Sequence, residues 1–149
     1  MKYLDKTINF ALFVVLAVMV TIMACNVFCR FVLQFSIYWA DELAQSLLVW
    51  LTFLGAAVAI RESSHYAFDT IQSLLKGASL KVYQILGNVI VILMVSAMLY
   101  WSTVVTIGIR IWIMPAMEIS RALIYAACPA GCIFMLIYSF QNLIKILRQ

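Results

Sequence analysis

The residues in this sequence best suited to chemistry are four cysteines, which fall into two pairs. Cys25 and Cys29 form one pair and Cys128 and Cys132 the other, and the spacing of four residues puts both thiols of a pair on one helical face. A thiol relay favours Cys-x-x-Cys in a polar, accessible setting, and structural zinc favours tighter pairs or a Cys/His mixture. Because neither pattern is present, we interpret these thiols as small apolar side chains packed in helices.

The sequence has one histidine, His65, which stands near Arg61 and Asp69. A haem-binding bundle needs axial ligands from its helices, and one histidine does not supply them. The sequence also has no glycine-rich phosphate loop and no Ser/His/Asp set. We therefore predict no catalytic residue, no metal ligand and no cofactor in this chain. His65, Arg61 and Asp69 are predicted to make contacts in a cytoplasmic loop.

Two adjacent carboxylates, Asp41 and Glu42, stand just before a long apolar stretch. Three roles are open for them. They could cap the start of a helix, where negative charge is favoured, pair with a base such as Arg30, or pair with another subunit. A proton carrier at mid-membrane would need a carboxylate deeper in an apolar stretch than either of these.

The elements that position these residues are four stretches without any Asp, Glu, Lys or Arg: 7–29, 43–60, 82–109 and 122–144. About 20 apolar residues cross a bilayer as a helix, and the absence of water in lipid requires a helical backbone. We therefore predict an all-α integral membrane protein, one domain over 1–149, with four transmembrane helices. They should run from about Ile8 to Phe28, Trp39 to Ile60, Val82 to Ile107 and Ala122 to Leu143, with a kink near Pro129.

The composition and the placement of charge agree with a membrane protein. The chain is 66% hydrophobic and 11% charged, whereas a soluble domain is about 25% charged. The net charge of +4 does not indicate a nucleic-acid partner, because the basic residues flank the spans. With the N-terminus inside, seven of the ten Lys and Arg residues lie inside: Lys2, Lys6, Arg61, Lys76, Lys81, Lys145 and Arg148. Because cytoplasmic segments collect Lys and Arg, both termini should face the cytoplasm.

Polar and small residues form a stripe along the second span. At 100° per residue most of them lie within about 60° of each other, and such a stripe lets another helix approach closely in lipid. Side chains near the end of the first span should cover part of the stripe, and a partner the remainder. The predicted subunit interface comprises Asn26, Arg30, Trp39, Asp41, Glu42, Gln45, Thr52, Gly55, Ala56 and Ala59.

The segment between the second and third spans has apolar residues in an arc of about 120°, with polar residues opposite. This pattern predicts a short amphipathic interfacial helix, at about 66–76, that lies on the phospholipid surface. Packing on a cytoplasmic loop of a partner is the alternative. The residues assigned to the surface helix are Phe68, Ile71, Leu74, Leu75 and Lys76.

A set of motifs between residues 26 and 69 resembles the small membrane subunit (Q-type) of tripartite ATP-independent periplasmic transporters, the TRAP family. These motifs are Asn26, Arg30-Phe31, Trp39-x-Asp41-Glu42-Leu43-Ala44, Trp50, Phe53-Leu54-Gly55-Ala56-Ala57-x-Ala59-x-Arg61, His65 and Asp69. The stretch Pro115–Ile119 also looks like the outer loop of the family. Ser120 stands where many members have a second proline, so the family's loop shape does not carry over.

The resemblance implies a scaffold subunit of the bacterial inner membrane that is not an enzyme. Such a subunit docks on a large, elevator-type membrane subunit that holds the substrate and sodium sites. Together they would support sodium-coupled uptake of an organic acid, of the sialic acid or C4-dicarboxylate class, delivered by a periplasmic binding protein. Two rival classes stay open: a four-span thiol–quinone oxidoreductase, and a stand-alone small multidrug exporter, which would need a deep carboxylate in its first span.

Overall fold

The computed structural model describes residues 2–66 and 78–148. Helix α1 spans Lys2–Val32, α2 spans Tyr38–Tyr66 and α3 spans Ala78–Ile109, and the last span is divided into α4, Ala122–Tyr125, and α5, Ala127–Arg148. Within these ranges four helical stretches are long and apolar enough to cross a membrane, and no β-strand is found. The prediction of an all-α protein with four transmembrane helices is confirmed.

The helices continue past the predicted ends of the spans. Residues 61–66 belong to α2 and residues 78–81 to α3, so the prediction that Arg61 and His65 lie in a loop is wrong. The charge-free run marks the part of the helix inside lipid, and a helix can continue into the headgroup region with charged residues. The predicted surface helix, with Asp69 and its assigned residues Phe68, Ile71, Leu74, Leu75 and Lys76, falls in 67–77, outside the described residues.

The principal contacts between helices follow the order α1, α2, α5, α3. Helix α5 packs on both α2 and α3, and 33% of its most apolar stretch is buried, against 6% for α1 and for α3. We call the end of the molecule that carries residues 33–37 and 110–121 the loop end, and the opposite end the terminal end. This open arrangement leaves broad faces of α1, α2 and α3 uncovered within the described chain.

The core takes residues from all four long helices. Ile8, Ala57, Val95 and Met135 are buried in one cluster, one from each of α1, α2, α3 and α5. Because lipid is as apolar as these side chains, close packing rather than escape from water holds transmembrane helices together. The core therefore depends on how closely the backbones approach one another.

The fourth span is interrupted at Ala126, between α4 and α5. Pro129 lacks the N–H that would bond the carbonyl of Tyr125, and α4 ends at that residue. The N–H of Ala130 donates to the carbonyl of Ala126 at 3.1 Å, so helical bonding resumes directly afterwards. The division of the span lies one turn before the proline, at a residue whose backbone angles are still helical, and the kink near Pro129 stays a prediction.

Polar side chains connect the helices at the terminal end. Arg61 Nη2 donates to Asn9 Oδ1 at 3.5 Å, and its guanidinium carbon lies 6.0 Å from the centroid of the Tyr138 ring. Asn142 Nδ2 donates to the carbonyl of Ile60 at 3.2 Å. Arg61, near the end of α2, therefore contacts α1 and α5.

Candidate subunit interface

The turn between α1 and α2 is fixed by the side chain of Asn26. Its Nδ2 donates to Asp41 Oδ1 at 3.2 Å, and its Oδ1 accepts from the N–H of Ile37 at 3.1 Å. Asn26 is only 5% exposed, so both bonds are shielded and stronger than they would be in water. Asn26 thus covers one edge of the predicted polar surface on α2 and orients Asp41 at its start.

Arg30 lies one turn after Asn26 in the last turn of α1, but its side chain is exposed. In the described parts of the chain its guanidinium makes no ion pair with Asp41 or Glu42. The suggested pairing of the carboxylates with Arg30 is therefore not formed. A cation near the carboxyl end of a helix is favoured by the helix dipole, and that local role suits the position of Arg30.

Glu42 binds the backbone of a distant segment. Its Oε2 accepts from the N–H of Ala116 at 3.1 Å and from the N–H of Met117 at 3.0 Å. Charge-assisted bonds of this kind are about twice as strong as neutral ones. The role of Glu42 is therefore neither a cap of its own helix nor a pair with Arg30. It anchors the connection between α3 and α4 onto the start of α2.

That connection is a hairpin over residues 110–121, here called the loop-end hairpin. The N–H of Met114 donates to the carbonyl of Ile119 at 2.9 Å, and the N–H of Arg121 donates to the carbonyl of Trp112 at 2.8 Å. Ser120 Oγ donates to the carbonyl of Arg110 at 2.7 Å. A proline at position 120 could not make this last bond, so the serine gives the hairpin a contact that a proline would remove.

Most of the polar surface predicted on α2 is uncovered by the residues that the structure describes. Asp41, Gln45, Thr52 and Ala59 are exposed, and nothing lies within 4 Å of a β-carbon built on Gly55. Ala56, in contrast, packs partly against the core. We call the surface formed by Asp41, Gln45, Thr52 and Gly55 the α2 polar face. It lies between the faces of α2 that pack on α1 and on α5.

The two tryptophans near the loop end of α2 differ in role. Trp39 is 40% exposed at the start of the helix, a position typical of an interfacial anchor. Trp50 donates from Nε1 to the carbonyl of Leu123 at 3.2 Å and so joins α2 to α4. This bond satisfies a carbonyl near the helix break, and sequence reasoning did not find it.

Sequence reasoning also missed the residues that bring the helices together. Small residues spaced four apart are buried on α2, at Ala40 and Ala44, and on α5, at Ala127 and Gly131. Their small-xxx-small spacing is the signal that could have identified them. The same spacing occurs at Gly55 and Ala59 of the predicted interface, but among the described residues Ala59 is exposed and no atom lies within 4 Å of a β-carbon built on Gly55.

The four cysteines form no disulfide, and Cys132 is buried while Cys25 is exposed. Across the residues the structure describes, no three His, Cys, Asp or Glu side chains come together as metal ligands would. What the described arrangement offers is a set of surfaces for contact with other helices, with lipid and with proteins at the loop end.

The described residues form an apolar four-helix membrane domain whose α2 polar face is uncovered, a surface suited to packing against another helix. The family model for the DctQ component of tripartite ATP-independent periplasmic transporters matches residues 19–149, and the chain belongs to this family. A protein of Haemophilus influenzae that bears the provisional name TRAP transporter small permease protein is 22% identical over 144 residues, which are 97% of this chain and 87% of that protein.

The chain is therefore the small membrane subunit of a TRAP transporter, a multi-pass membrane protein and not an enzyme. The resemblance seen in the sequence is confirmed over most of its length. The two rival classes, a thiol–quinone oxidoreductase and a stand-alone small multidrug exporter, are wrong.

Proposed function

We propose that this subunit docks through the α2 polar face on the large, elevator-type membrane subunit of the transporter. The observation that carries the proposal is the exposure of Gln45 and Thr52 on a transmembrane helix. Polar side chains within a span face protein far more often than lipid, and small residues such as Gly55 allow a second backbone to approach. Docking there would extend the static scaffold against which the large subunit moves.

The assembled transporter, in this proposal, takes up an organic acid of the sialic acid or C4-dicarboxylate class with sodium. A periplasmic binding protein delivers the acid. In this proposal neither the acid nor sodium binds to this chain, which agrees with the absence of acidic and basic residues from its four apolar stretches. The substrate and sodium sites would then lie in the large subunit.

The proposed location is the bacterial inner membrane, with both termini in the cytoplasm. Seven of the ten Lys and Arg residues fall on that side, which is the distribution that sets orientation. The loop-end hairpin would then face the periplasm, where the binding protein arrives. The segment with Phe68, Ile71 and Leu75 would face the cytoplasm, and its contact with phospholipid stays a prediction.

Uptake into proteoliposomes tests this function. Vesicles would carry the cognate large subunit with or without this chain, with the binding protein and labelled acid outside, under an inward sodium gradient. We expect uptake only when both membrane subunits, the binding protein and the gradient are present. Equal uptake by the large subunit alone would contradict a scaffold role for this chain.

A further inference from the structure

A crevice of about 750 Å³ separates α2 from α3 toward the loop end. Its lining includes Val49 and Phe53 of α2, Met98 and Val105 of α3, and Cys128 of α5. Gln45 lines it as well, so the crevice adjoins the α2 polar face. Ligand-binding clefts in proteins usually have volumes of about 300–1,000 Å³. The crevice is therefore large enough to hold a ligand.

The lining changes from polar to apolar with depth. Glu42 and Arg121 stand at the loop end of the crevice, and Phe53, Met98 and Cys128 line its deeper part. From Glu42 to Phe53 the helix rises about 16 Å at 1.5 Å per residue. This is close to half of the hydrocarbon core, which is about 30 Å thick. The crevice thus has the depth of one leaflet, with its polar end at the headgroup level.

The cation at the mouth has no partner in the described chain. Arg121 is exposed, and no hydrogen bond or ion pair of its guanidinium is found among the residues described. No ion pair joins Arg121 to the carboxylate of Glu42 among the residues described; that carboxylate accepts from the N–H groups of Ala116 and Met117. An exposed arginine without a partner among the described residues is suited to a phosphate, which its guanidinium can bind with two parallel hydrogen bonds.

We propose that the crevice between α2 and α3 holds one phospholipid of the leaflet at the loop end. Arg121 binds its phosphate, and an acyl chain lies along Phe53, Met98 and Val105. Free phosphate would leave the apolar depth empty. A lipid site of this kind does not depend on which acid the transporter carries.

Native mass spectrometry of the full chain, purified in mild detergent with its large subunit, tests the site. One retained phospholipid is expected on the wild type. Arg121→Gln removes the cation, and Val105→Phe adds bulk to the apolar lining of the crevice. Because Arg121→Gln replaces charge-assisted bonds to the phosphate with weaker neutral ones, retained lipid should fall about tenfold in this variant. Arg121→Lys should keep it.

Two matched controls lie outside the crevice. Arg110→Gln removes another exposed arginine of the same hairpin, and Val104→Phe adds the same bulk at an exposed position of α3 that does not line the crevice. Both should retain the lipid. The proposal is overturned if the wild type retains no phospholipid or only inorganic phosphate, or if all variants retain it equally. It is also overturned if Val105→Phe releases the large subunit while no lipid is ever bound.

Discussion

A β-carbon built on Gly131 would lie 2.7 Å from the β-carbon of Phe53 and 3.0 Å from its carbonyl oxygen. Helices α5 and α2 therefore touch at a point that has no room for a side chain. Since α5 packs on both α2 and α3, this contact lies at the centre of the arrangement that holds the four spans together.

Gly131→Ala should destabilise the fold. The added methyl meets backbone atoms of α2, which cannot rotate away, and overpacking of this kind costs about 1–3 kcal/mol. Thermal unfolding in detergent should show a lower midpoint. Gly108→Ala is the control, because nothing lies within 4 Å of a β-carbon at that residue. An unchanged midpoint for Gly131→Ala would mean that α2 and α5 are farther apart than the structure places them.

Glu42→Gln should loosen the loop-end hairpin and leave the four spans intact. The neutral amide keeps one acceptor oxygen but loses the charge-assisted bonds to the N–H groups of Ala116 and Met117. Hydrogen exchange at these two amides should become about tenfold faster or more, since hydrogen bonds to charged groups are worth about 1.5–3 kcal/mol. Glu118→Gln, an exposed acidic position in the same hairpin, should leave the exchange rates unchanged. Equal effects of the two variants would show that Glu42 does not anchor the hairpin.

The proposed orientation predicts opposite accessibility at the two ends of the molecule. Cysteines introduced as Ile111→Cys, at a position 79% exposed, and as Arg148→Cys should be labelled from different sides of the membrane. A membrane-impermeant maleimide added to intact cells should reach the first only, because the Lys and Arg distribution places position 148 in the cytoplasm. The wild type, with its four cysteines in the spans, gives the background. Labelling at position 148 alone would reverse the topology.

Gly55→Leu should weaken assembly without weakening the fold of this chain. A β-carbon at position 55 meets nothing within 4 Å among the described residues, so we expect its bulk to act on a partner helix at the α2 polar face. Co-purification of the large subunit should fall, and uptake should fall with it. Gly108→Leu, equally open in this chain, should assemble normally, and Leu48→Ala should have a smaller effect. Normal assembly of Gly55→Leu would place the interface elsewhere.

Charge-free runs were enough to predict the four spans, because excluding charge from lipid is a strong and local constraint. The contact of Asn26 with the start of α2 also followed from sequence, since a short turn makes α1 and α2 neighbours.

The hydrogen bonds that Glu42 accepts from the N–H groups of Ala116 and Met117 could not be predicted from sequence, because they join segments 74 and 75 residues apart. The predicted loop position of Arg61 was wrong because the end of a charge-free run marks the edge of lipid, whereas the helix continues beyond it. The crevice between α2 and α3 could not be predicted, since it depends on how far two helices diverge.

The proposed scaffold role depends on contact between the α2 polar face and the large subunit. The most direct measurement is photo-crosslinking in the intact membrane complex with a benzoylphenylalanine placed at Thr52. The matched control is the same residue at Leu93, which is 64% exposed near the middle of α3. We expect a crosslink to the large subunit from position 52 and none from position 93. A crosslink from position 93 and none from position 52 would contradict it.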